Sequence, residues 1–356
     1  MKKVVIIGSG FGGIEAAEVL KGKVDLTVID KNPFFIYQPS MHEVAVGRTK
    51  EKSIRFDLKK YYEKHNIRFY NEELWCVKPF EKVVLTKTRK ISYDYIILAI
   101  GGVTNYCGIK GMKEHSFDIW DYKSIQETIR KETEKSRFYK EKNNIIVCGA
   151  GLTGIELAAE LIERTKANIL LVEACKDILP GLKKAEKTVF NILKNKGVHI
   201  MTNTVVSRAE KGVVYLRNNK KIYAGTIIWC GGIKANPVNQ KTGLRTNNRG
   251  LIMTNEYLQS SNASIYSVGD CAYQYKNPQP TTAQTAIQEG RTAANNILLS
   301  INNKDKEIFR QKNQKYLVSL GRWKGVYLEK TLRTGIIPAI IKKLVEKTYV
   351  FKHILL

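Results

Sequence analysis

Two glycine-rich segments of the sequence have the spacing that binds the pyrophosphate of a dinucleotide. Residues 8–13 read GSGFGG, and residues 149–154 read GAGLTG. In a G-x-G-x-x-G loop the first glycine permits the bend, the second lets the backbone approach the phosphates, and the third lets the next helix pack on the strand. The candidate binding residues are Gly8, Gly10, Gly12 and Gly13 in the first loop, and Gly149, Gly151 and Gly154 in the second.

Each loop lies between a predicted strand and a predicted helix, and a second predicted strand then ends in an acid. The first loop follows the apolar run at residues 4–7, and the next run, residues 26–29, ends at Asp30. The same order recurs around the second loop, where the acid is Glu173. An acid at this position accepts a hydrogen bond from a ribose hydroxyl. Glycines alone often make ordinary tight turns, but this context predicts two complete βαβ units and therefore two bound dinucleotides.

The second acid bears on which nicotinamide cofactor the protein uses. A carboxylate at Glu173 would repel a 2′-phosphate, so this residue predicts NADH rather than NADPH. The alternative is that Glu173 only caps the surface of its strand.

Two further apolar runs, residues 95–100 and 226–230, end directly before glycine. Glycine at such a position allows a strand and a cofactor to approach each other closely. These strand ends add Ala99, Gly101 and Gly231 to the candidate cofactor-binding residues.

The two loops, together with a late apolar strand that ends in Gly269 and Asp270, resemble the FAD- and NAD-linked pyridine nucleotide-disulfide reductase superfamily. The resemblance implies that the first loop holds FAD and the second holds NADH. It also implies that Gly269 and Asp270 bind the ribityl and phosphate region of FAD.

Narrower strings resemble the type II NADH dehydrogenases within that superfamily. One is DKNP at residues 30–33, which adds Lys31 as a cofactor residue. Another is AQTAIQEG at residues 283–290, which begins with Ala283 and matches that family's quinone-site pattern A-Q-x-A-x-Q. The likeness extends over nearly the whole chain.

The resemblance implies an α/β fold with two Rossmann-like dinucleotide-binding domains, in which the NADH domain interrupts the FAD domain. The FAD-binding domain is expected at residues 1–117 and 256–305, and the NADH-binding domain at residues 118–255. A short C-terminal membrane-associating segment is expected at residues 306–356.

The implied activity is that of a non-proton-pumping NADH:quinone oxidoreductase of a respiratory chain. Such a flavoprotein transfers a hydride from NADH to FAD and then two electrons to a membrane quinone. Gln284 and Gln288 share a helix face, where they either hydrogen-bond a quinone or the flavin, or cap and solvate the helix start. Glu156 matches a glutamate that lies near the nicotinamide and the quinone in this family. Alternatively, its carboxylate simply favours the first turn of a helix.

Two other functions stay open at this point. A sulfide:quinone oxidoreductase needs cysteines beside the flavin, and Cys107 and Cys271 are the candidates, although packing of small side chains also explains them. A redox sensor would bind NADH without turnover. The six cysteines include neither a redox-active pair nor a metal-ligand spacing, so we expect no disulfide reductase and no metal site.

The formal net charge of +26 indicates either a solvated lysine-rich surface or attraction to an anionic membrane. No nucleic-acid-binding signature accompanies it, so nucleic acid is not an expected partner. No signal peptide and no run of 18 uncharged apolar residues is found. These features predict a peripheral protein on the cytoplasmic face of the cell membrane.

The C-terminal sequence supports a membrane surface as a partner. Residues 302–356 carry thirteen Lys and Arg against four Asp and Glu. The apolar residues that fall on one helical stripe are Ile337, Ile340, Ile341, Leu344, Val345 and Phe351. A basic amphipathic helix of this kind lies in a membrane interface. The alternative is a helix that packs on the body of the protein or on the partner in a homodimer.

Overall fold

The computed structural model describes residues 1–138, 144–312 and 314–355, which form a mixed α/β structure. The α-helices of these residues are α1 (Phe11–Leu20), α2 (Met41–Ala45), α3 (Leu58–Lys64), α4 (Met112–His115), α5 (Tyr122–Phe138), α6 (Leu152–Arg164), α7 (Lys183–Asn195), α8 (Ala283–Ile301) and α9 (Ile336–Leu355). The strands of these residues are β1 (Lys3–Ile7), β2 (Asp25–Ile29), β3 (Phe34–Ile36), β4 (Arg55–Asp57), β5 (Arg68–Tyr70), β6 (Leu74–Lys78), β7 (Val83–Thr86), β8 (Lys90–Ser92), β9 (Tyr95–Leu98), β10 (Gly102–Thr104), β11 (Asn144–Cys148), β12 (Asn168–Val172), β13 (His199–Met201), β14 (Val206–Glu210), β15 (Val213–Leu216), β16 (Lys221–Tyr223), β17 (Thr226–Trp229), β18 (Ile233–Ala235), β19 (Ile252–Thr254), β20 (Ile265–Ser267), β21 (Ala272–Gln274), β22 (Tyr316–Ser319), β23 (Gly325–Leu328) and β24 (Leu332–Gly335).

The first parallel sheet is built around β1, whose four apolar residues are almost completely buried. Its five strands have the order β20–β9–β1–β2–β5, and all neighbouring strands are parallel. Continuous apolar strands are typical of a parallel sheet that is covered on both faces. Strand β20 joins this sheet from a position far beyond the second glycine loop, so the chain leaves the first sheet and later returns to it.

The second parallel sheet repeats this arrangement around β11. Its strands have the order β13–β12–β11–β17 and are again all parallel. Helix α6 begins within the second glycine loop, as α1 begins within the first. Both predicted βαβ units are therefore present.

Each parallel sheet is accompanied by a small antiparallel sheet, β6–β7–β8 in the first case and β14–β15–β16 in the second. In both, the first strand shifts its register at the same relative position, between Leu74 and Cys76 and between Val206 and Arg208. The two halves are thus copies of one architecture. Strands β10 and β18 pair antiparallel and connect the two copies.

The C-terminal residues form more than the predicted amphipathic helix. Strands β22, β23 and β24 make an antiparallel sheet, and α9 follows directly and packs against it. Each of these strands is only four residues long, so its sequence pattern is weak. The apolar stripe of the helix that follows is a stronger pattern. Within the described ranges, no helix combines the length and the apolar composition needed to cross a membrane.

Candidate functional site

The first glycine loop is held in its bend by close contacts that exclude side chains. Gly8 has a left-handed φ of +98°, and a Cβ there would lie 2.3 Å from the carbonyl oxygen of Ala99. A Cβ at Gly13 would lie 1.8 Å from the carbonyl oxygen of Gly8. At Gly10, by contrast, no atom lies within 4 Å of the Cβ position. The fold therefore requires the first and third glycines, whereas the second borders open space of the kind a phosphate group needs.

The second loop reproduces this geometry. Gly149 has a φ of +104°, and a Cβ there would lie 2.5 Å from the carbonyl oxygen of Cys230. A Cβ at Gly154 would lie 1.8 Å from the carbonyl oxygen of Gly149, and the Cβ position at Gly151 is again open. The two loops are therefore equivalent position by position.

Glycine is required at position 231, two residues after the end of β17, for a local reason. A Cβ at Gly231 would lie 2.1 Å from the indole ring of Trp229. That indole donates a hydrogen bond of 2.7 Å to the carbonyl oxygen of Asn105. The indole alone thus accounts for glycine at position 231, and a role in cofactor binding there stays a prediction.

The two acids tie each strand end to the glycine loop of its own unit. Asp30 accepts a hydrogen bond from the N–H of Ser9, and Glu173 accepts one of 2.6 Å from the N–H of Ala150. Burial raises the pKa of Asp30, and Lys31 beside it is exposed. Both carboxylates thus lie where a ribose hydroxyl is expected.

Helices α1 and α8 approach each other closely through glycine. A Cβ at Gly290 would lie 2.1 Å from the carbonyl oxygen of Gly12. Ala99 and Ala283 are half-buried against the core that these helices share, and Gly101 has a φ of +65° with open space at its Cβ position. The start of α8 is thereby held beside the first loop.

The remaining wall of the first site comes from the 3₁₀ turn Gly269–Cys271. The N–H of Gly269 donates a hydrogen bond of 2.6 Å to Glu289, which is buried in α8. The carboxylate of Asp270 has no hydrogen bond to any described residue, and burial raises its pKa. A partly buried carboxylate without a partner fits a ligand that brings hydroxyl groups, so these residues fit the ribityl chain of the expected FAD.

The two glutamines of α8 hold the segment that follows this helix. The amide of Gln288 donates to the carbonyl oxygen of Lys312 at 3.1 Å and accepts from the N–H of the same residue at 2.8 Å. Gln284 accepts a hydrogen bond of 3.2 Å from the N–H of Lys315. The two side chains share a face as predicted, and their partners here are backbone groups.

Glu156 is the fifth residue of α6, one position beyond the first turn where the sequence places it, and is only 6% exposed. It accepts a hydrogen bond of 2.8 Å from the N–H of Ser319 and pairs with the ammonium group of Lys342. Nδ1 of His42 lies 3.4 Å from its second carboxylate oxygen. Burial raises the pKa of Glu156 against the lowering effect of Lys342. This carboxylate therefore connects α6 to β22, α9 and α2.

Comparison with known proteins now identifies the family. A model of the pyridine nucleotide-disulphide oxidoreductase family matches residues 2–290. The chain belongs to this family. A type II NADH:quinone oxidoreductase from Staphylococcus aureus is 28% identical over 388 aligned positions, which cover 99% of this chain and 96% of that protein.

Solved structures show the same fold. NDH2 from Plasmodium falciparum in complex with NADH has a TM-score of 0.86 at 19% identity and covers 99% of this chain and 97% of its own. The sulfide:quinone oxidoreductase of Aquifex aeolicus also has a TM-score of 0.86, at 21% identity, with 99% and 91% covered. The predicted family and its mixed α/β architecture with parallel sheets are confirmed.

In this member of the family, α9 packs on the body through a face of mixed polar and apolar groups and leaves most of its large apolar side chains exposed. Glu346 accepts a hydrogen bond of 2.6 Å from the hydroxyl of Ser40, and His353 is buried. The ring of Tyr349 contacts the rings of Phe11 and Tyr37. The exposed apolar residues of α9 are Ile336, Ile337, Ile340, Ile341, Leu344, Val345, Phe351 and Ile354. Packing on the body therefore uses the face opposite the predicted apolar stripe.

The two candidate thiols of the sulfide alternative have different surroundings. Cys107 is exposed, whereas Cys271 is fully buried and directs its thiol to the carbonyl oxygens of Leu98 and Val268. Burial raises the pKa of Cys271. Both are free cysteines.

Three residues of the site have no assigned role in the sequence analysis. His42 and Lys342 lie against Glu156, and Glu289 lies behind the 3₁₀ turn. Glu289 belongs to the string at residues 283–290 that resembles the type II NADH dehydrogenases, and that likeness is the signal that points to it. Lys342 carries no local signal, because only the folded chain brings it to α6.

Proposed function

We propose that this protein is an FAD-dependent, non-proton-pumping NADH:quinone oxidoreductase. The observation that carries this proposal is the presence of two glycine loops with the same geometry, each tied to an acid at the end of the next strand. The name of the Staphylococcus aureus relative supports the same activity. The flavin, when bound, accepts a hydride from NADH and passes two electrons to the quinone.

The residues of the first unit are proposed to hold FAD. The open space at Gly10 and the N-terminus of α1 take the pyrophosphate, Asp30 takes a ribose hydroxyl, and Asp270 takes the ribityl chain. The residues of the second unit are proposed to hold NADH, with Gly151 at the pyrophosphate and Glu173 at the ribose.

Glu156 is the proposed acid–base residue near the nicotinamide and the quinone. Its raised pKa and its position two residues after the last glycine of the NADH loop support that role. Gln284 has an amide N–H₂ group free to meet a quinone, whereas the Gln288 amide is engaged with the backbone of Lys312. We propose that Gln288 contributes mainly by positioning the segment beside the quinone.

An anaerobic titration of the purified protein tests the activity. Flavin absorbance is followed while NADH is added, and a short-chain quinone is added afterwards. We expect bleaching by NADH and recovery with the quinone. Bleaching by sulfide but not by NADH would replace the proposal with a sulfide:quinone oxidoreductase. NADH binding without bleaching would replace it with a redox sensor.

We also propose that the protein lies on the cytoplasmic face of the cell membrane through the outer face of α9. The apolar residues there are exposed side by side, and Trp323 beside them is 57% exposed. The net charge of +26 favours an anionic surface. This placement brings the protein to a quinone that is dissolved in lipid.

Vesicle binding tests the membrane proposal. Ile340→Glu together with Leu344→Glu is expected to lower binding to phosphatidylglycerol vesicles at least tenfold, while reduction of a water-soluble quinone persists. Phe80→Glu is the matched control, because Phe80 is fully exposed in the turn between β6 and β7 of the first unit. Equal binding of all variants would contradict the proposal. A dimer that the double variant dissociates in sedimentation would assign the face to a second copy of the chain instead.

A further inference from the structure

A buried cluster of ionisable side chains lies where α2, α6 and α9 meet. Its members are His42, Glu43, Arg48, Glu156, Glu160, Lys342 and Glu346. The four carboxylates and the histidine are each less than 9% exposed. Four carboxylates lie here with one Arg and one Lys, and buried carboxylates are costly unless cations or hydrogen bonds compensate them.

Three members bring metal-ligand atoms together. A ring nitrogen of His42 and one carboxylate oxygen each of Glu43 and Glu160 lie within 4.8 Å of one another. Nε2 of His42 and Oε1 of Glu160 are buried and have no hydrogen-bond partner among the described residues. Leaving such an atom unpaired carries the full desolvation penalty of that group. The two unpaired atoms therefore point to a ligand that the chain itself does not supply.

The neighbouring residues orient these atoms as they do in metal sites. The backbone of Pro39 hydrogen-bonds the His42 ring, and Nδ1 lies 3.4 Å from Glu156, which leaves the Nε2 lone pair available. Metal-binding histidines are oriented through their second ring nitrogen in this way.

The two carboxylates are oriented as well. Arg48 pairs with Oε2 of Glu160 and leaves Oε1 free, and the hydroxyl of Thr49 donates to Oε2 of Glu43 at 2.5 Å. Lys342 is engaged with Glu156. Both cations of the cluster are therefore engaged with carboxylate oxygens other than Oε1 of Glu160.

We propose that His42, Glu43 and Glu160 bind one divalent transition-metal ion. One imidazole and two carboxylates form a ligand set that suits Zn²⁺ or Mn²⁺, and a divalent ion compensates the two carboxylates that bind it. The ion joins α2 of the first unit to α6 of the second. The sequence offers no spacing that predicts this site, because the ligands come from separate segments that only the fold brings together.

Equilibrium dialysis of the untagged, flavin-bound protein after treatment with a chelator tests the proposal. We expect one Zn²⁺ or Mn²⁺ per chain, together with a higher thermal unfolding midpoint. His42→Gln and Glu160→Gln are expected to weaken binding at least tenfold. His65→Gln is the matched control and keeps full binding, because Nε2 of His65 is also buried and unpaired but faces only Glu18, at 3.9 Å.

Glu43→Gln keeps the test valid if Glu160→Gln unfolds the protein by leaving Arg48 without its partner. A glutamine at position 43 still accepts the hydrogen bond of Thr49 but is a poor metal ligand, so tenfold weaker binding by this folded variant supports the site. The proposal is overturned if the folded wild type binds neither metal, or if His42→Gln and Glu43→Gln bind as tightly as the wild type.

Discussion

The two nucleotide-binding units share their loop geometry but differ in what surrounds one equivalent glutamate. Glu15 and Glu156 each lie two residues after the third glycine of their loop. Glu15 pairs with Arg291 of the neighbouring helix α8, and the Arg291 side chain is 51% exposed. Glu156 pairs with Lys342 of α9, whose side chain is only 11% exposed. The loop thus sets where a dinucleotide binds, and the partner of the glutamate distinguishes the two sites.

Helix α9 is the element that reaches both glutamates. Lys342 pairs with Glu156, and Nε2 of His353, three turns further along, lies 3.9 Å from Glu15. The first unit is completed mainly by its own α8, whereas the second needs the C-terminal residues to bury its glutamate. The C-terminal segment therefore contacts both sites, but only in the second does it supply the cation that lies closest to the glutamate.

The largest expected effect comes from the third glycine of each loop. Gly154→Ala places a methyl group against the carbonyl oxygen of Gly149, so we expect NADH to bleach the flavin at a rate at least a hundredfold lower. Gly13→Ala is expected to yield protein that purifies without flavin. The measurements are flavin absorbance after purification and the rate of bleaching by NADH.

The second glycine of each loop is the control for this comparison. Gly151 has an ordinary φ of −72° and open space at its Cβ position, so Gly151→Ala should leave the unfolding temperature unchanged. It should still weaken NADH binding, because the methyl group occupies the space proposed for the pyrophosphate. If Gly151→Ala bound NADH as the wild type does, the second loop would not be the NADH site.

The next largest expected effect is a difference in stability between variants of Glu156 and of Glu15. Glu156→Gln leaves the buried Lys342 without its charge partner, and breaking such a pair costs about 3–5 kcal/mol. Glu15→Gln should cost about 1 kcal/mol or less, because Arg291 can turn into water. Thermal unfolding midpoints of the flavin-bound variants measure the difference. Lys342→Met added to Glu156→Gln should restore part of the loss, and equal midpoints for the two single variants would contradict the comparison.

The surroundings of Glu15 and Glu156 cannot be predicted from the sequence alone. The two βαβ units follow from local pattern, because the glycines, the apolar runs and the acids are close together along the chain. The strong helical stripe likewise predicts α9. The pairing of Lys342 with Glu156 does not follow, since it depends on how a distant helix lies across both domains. Similarly, the glycine at position 231 suggests a cofactor edge, but the indole of Trp229 already requires it.

The buried carboxyl group of Glu289 pairs with no cation among the described residues, so its titration provides a pH test of the first unit. Burial raises the pKa of Glu289 to about 8, and its carboxylate accepts a hydrogen bond from the N–H of Gly269. The folded state therefore binds more protons than the unfolded state between about pH 4.3 and pH 8. The free energy of unfolding should fall as pH rises through this window, by at most about 1.4 kcal/mol per pH unit.

Glu289→Gln removes this titration and keeps an acceptor for the N–H of Gly269. The variant should show a flatter dependence of its thermal midpoint on pH between 5.5 and 8 than the wild type. Asp270 lies close enough to contribute to the same pKa, so Asp270→Asn is the companion variant and should flatten the curve only slightly. Identical curves for the wild type and Glu289→Gln would show that this carboxyl is ionised in the folded protein.

The smallest expected effect concerns the acids at the ends of the second strands. Glu173 accepts hydrogen bonds from two backbone N–H groups, those of Ala150 and Cys175, so Glu173→Gln removes a negative charge and one acceptor together. The preference for NADH over NADPH should fall about tenfold, which corresponds to about 1.4 kcal/mol. Initial rates of flavin bleaching with the two nucleotides measure this ratio.

Asp30→Asn, the same change in the first unit, should lower flavin retention and leave the ratio unaltered, because that acid faces the other dinucleotide. If Glu173→Gln kept the wild-type ratio, the carboxylate of Glu173 would only hold its glycine loop in place. Glu173 and Asp30 would then have the same function as well as the same geometry.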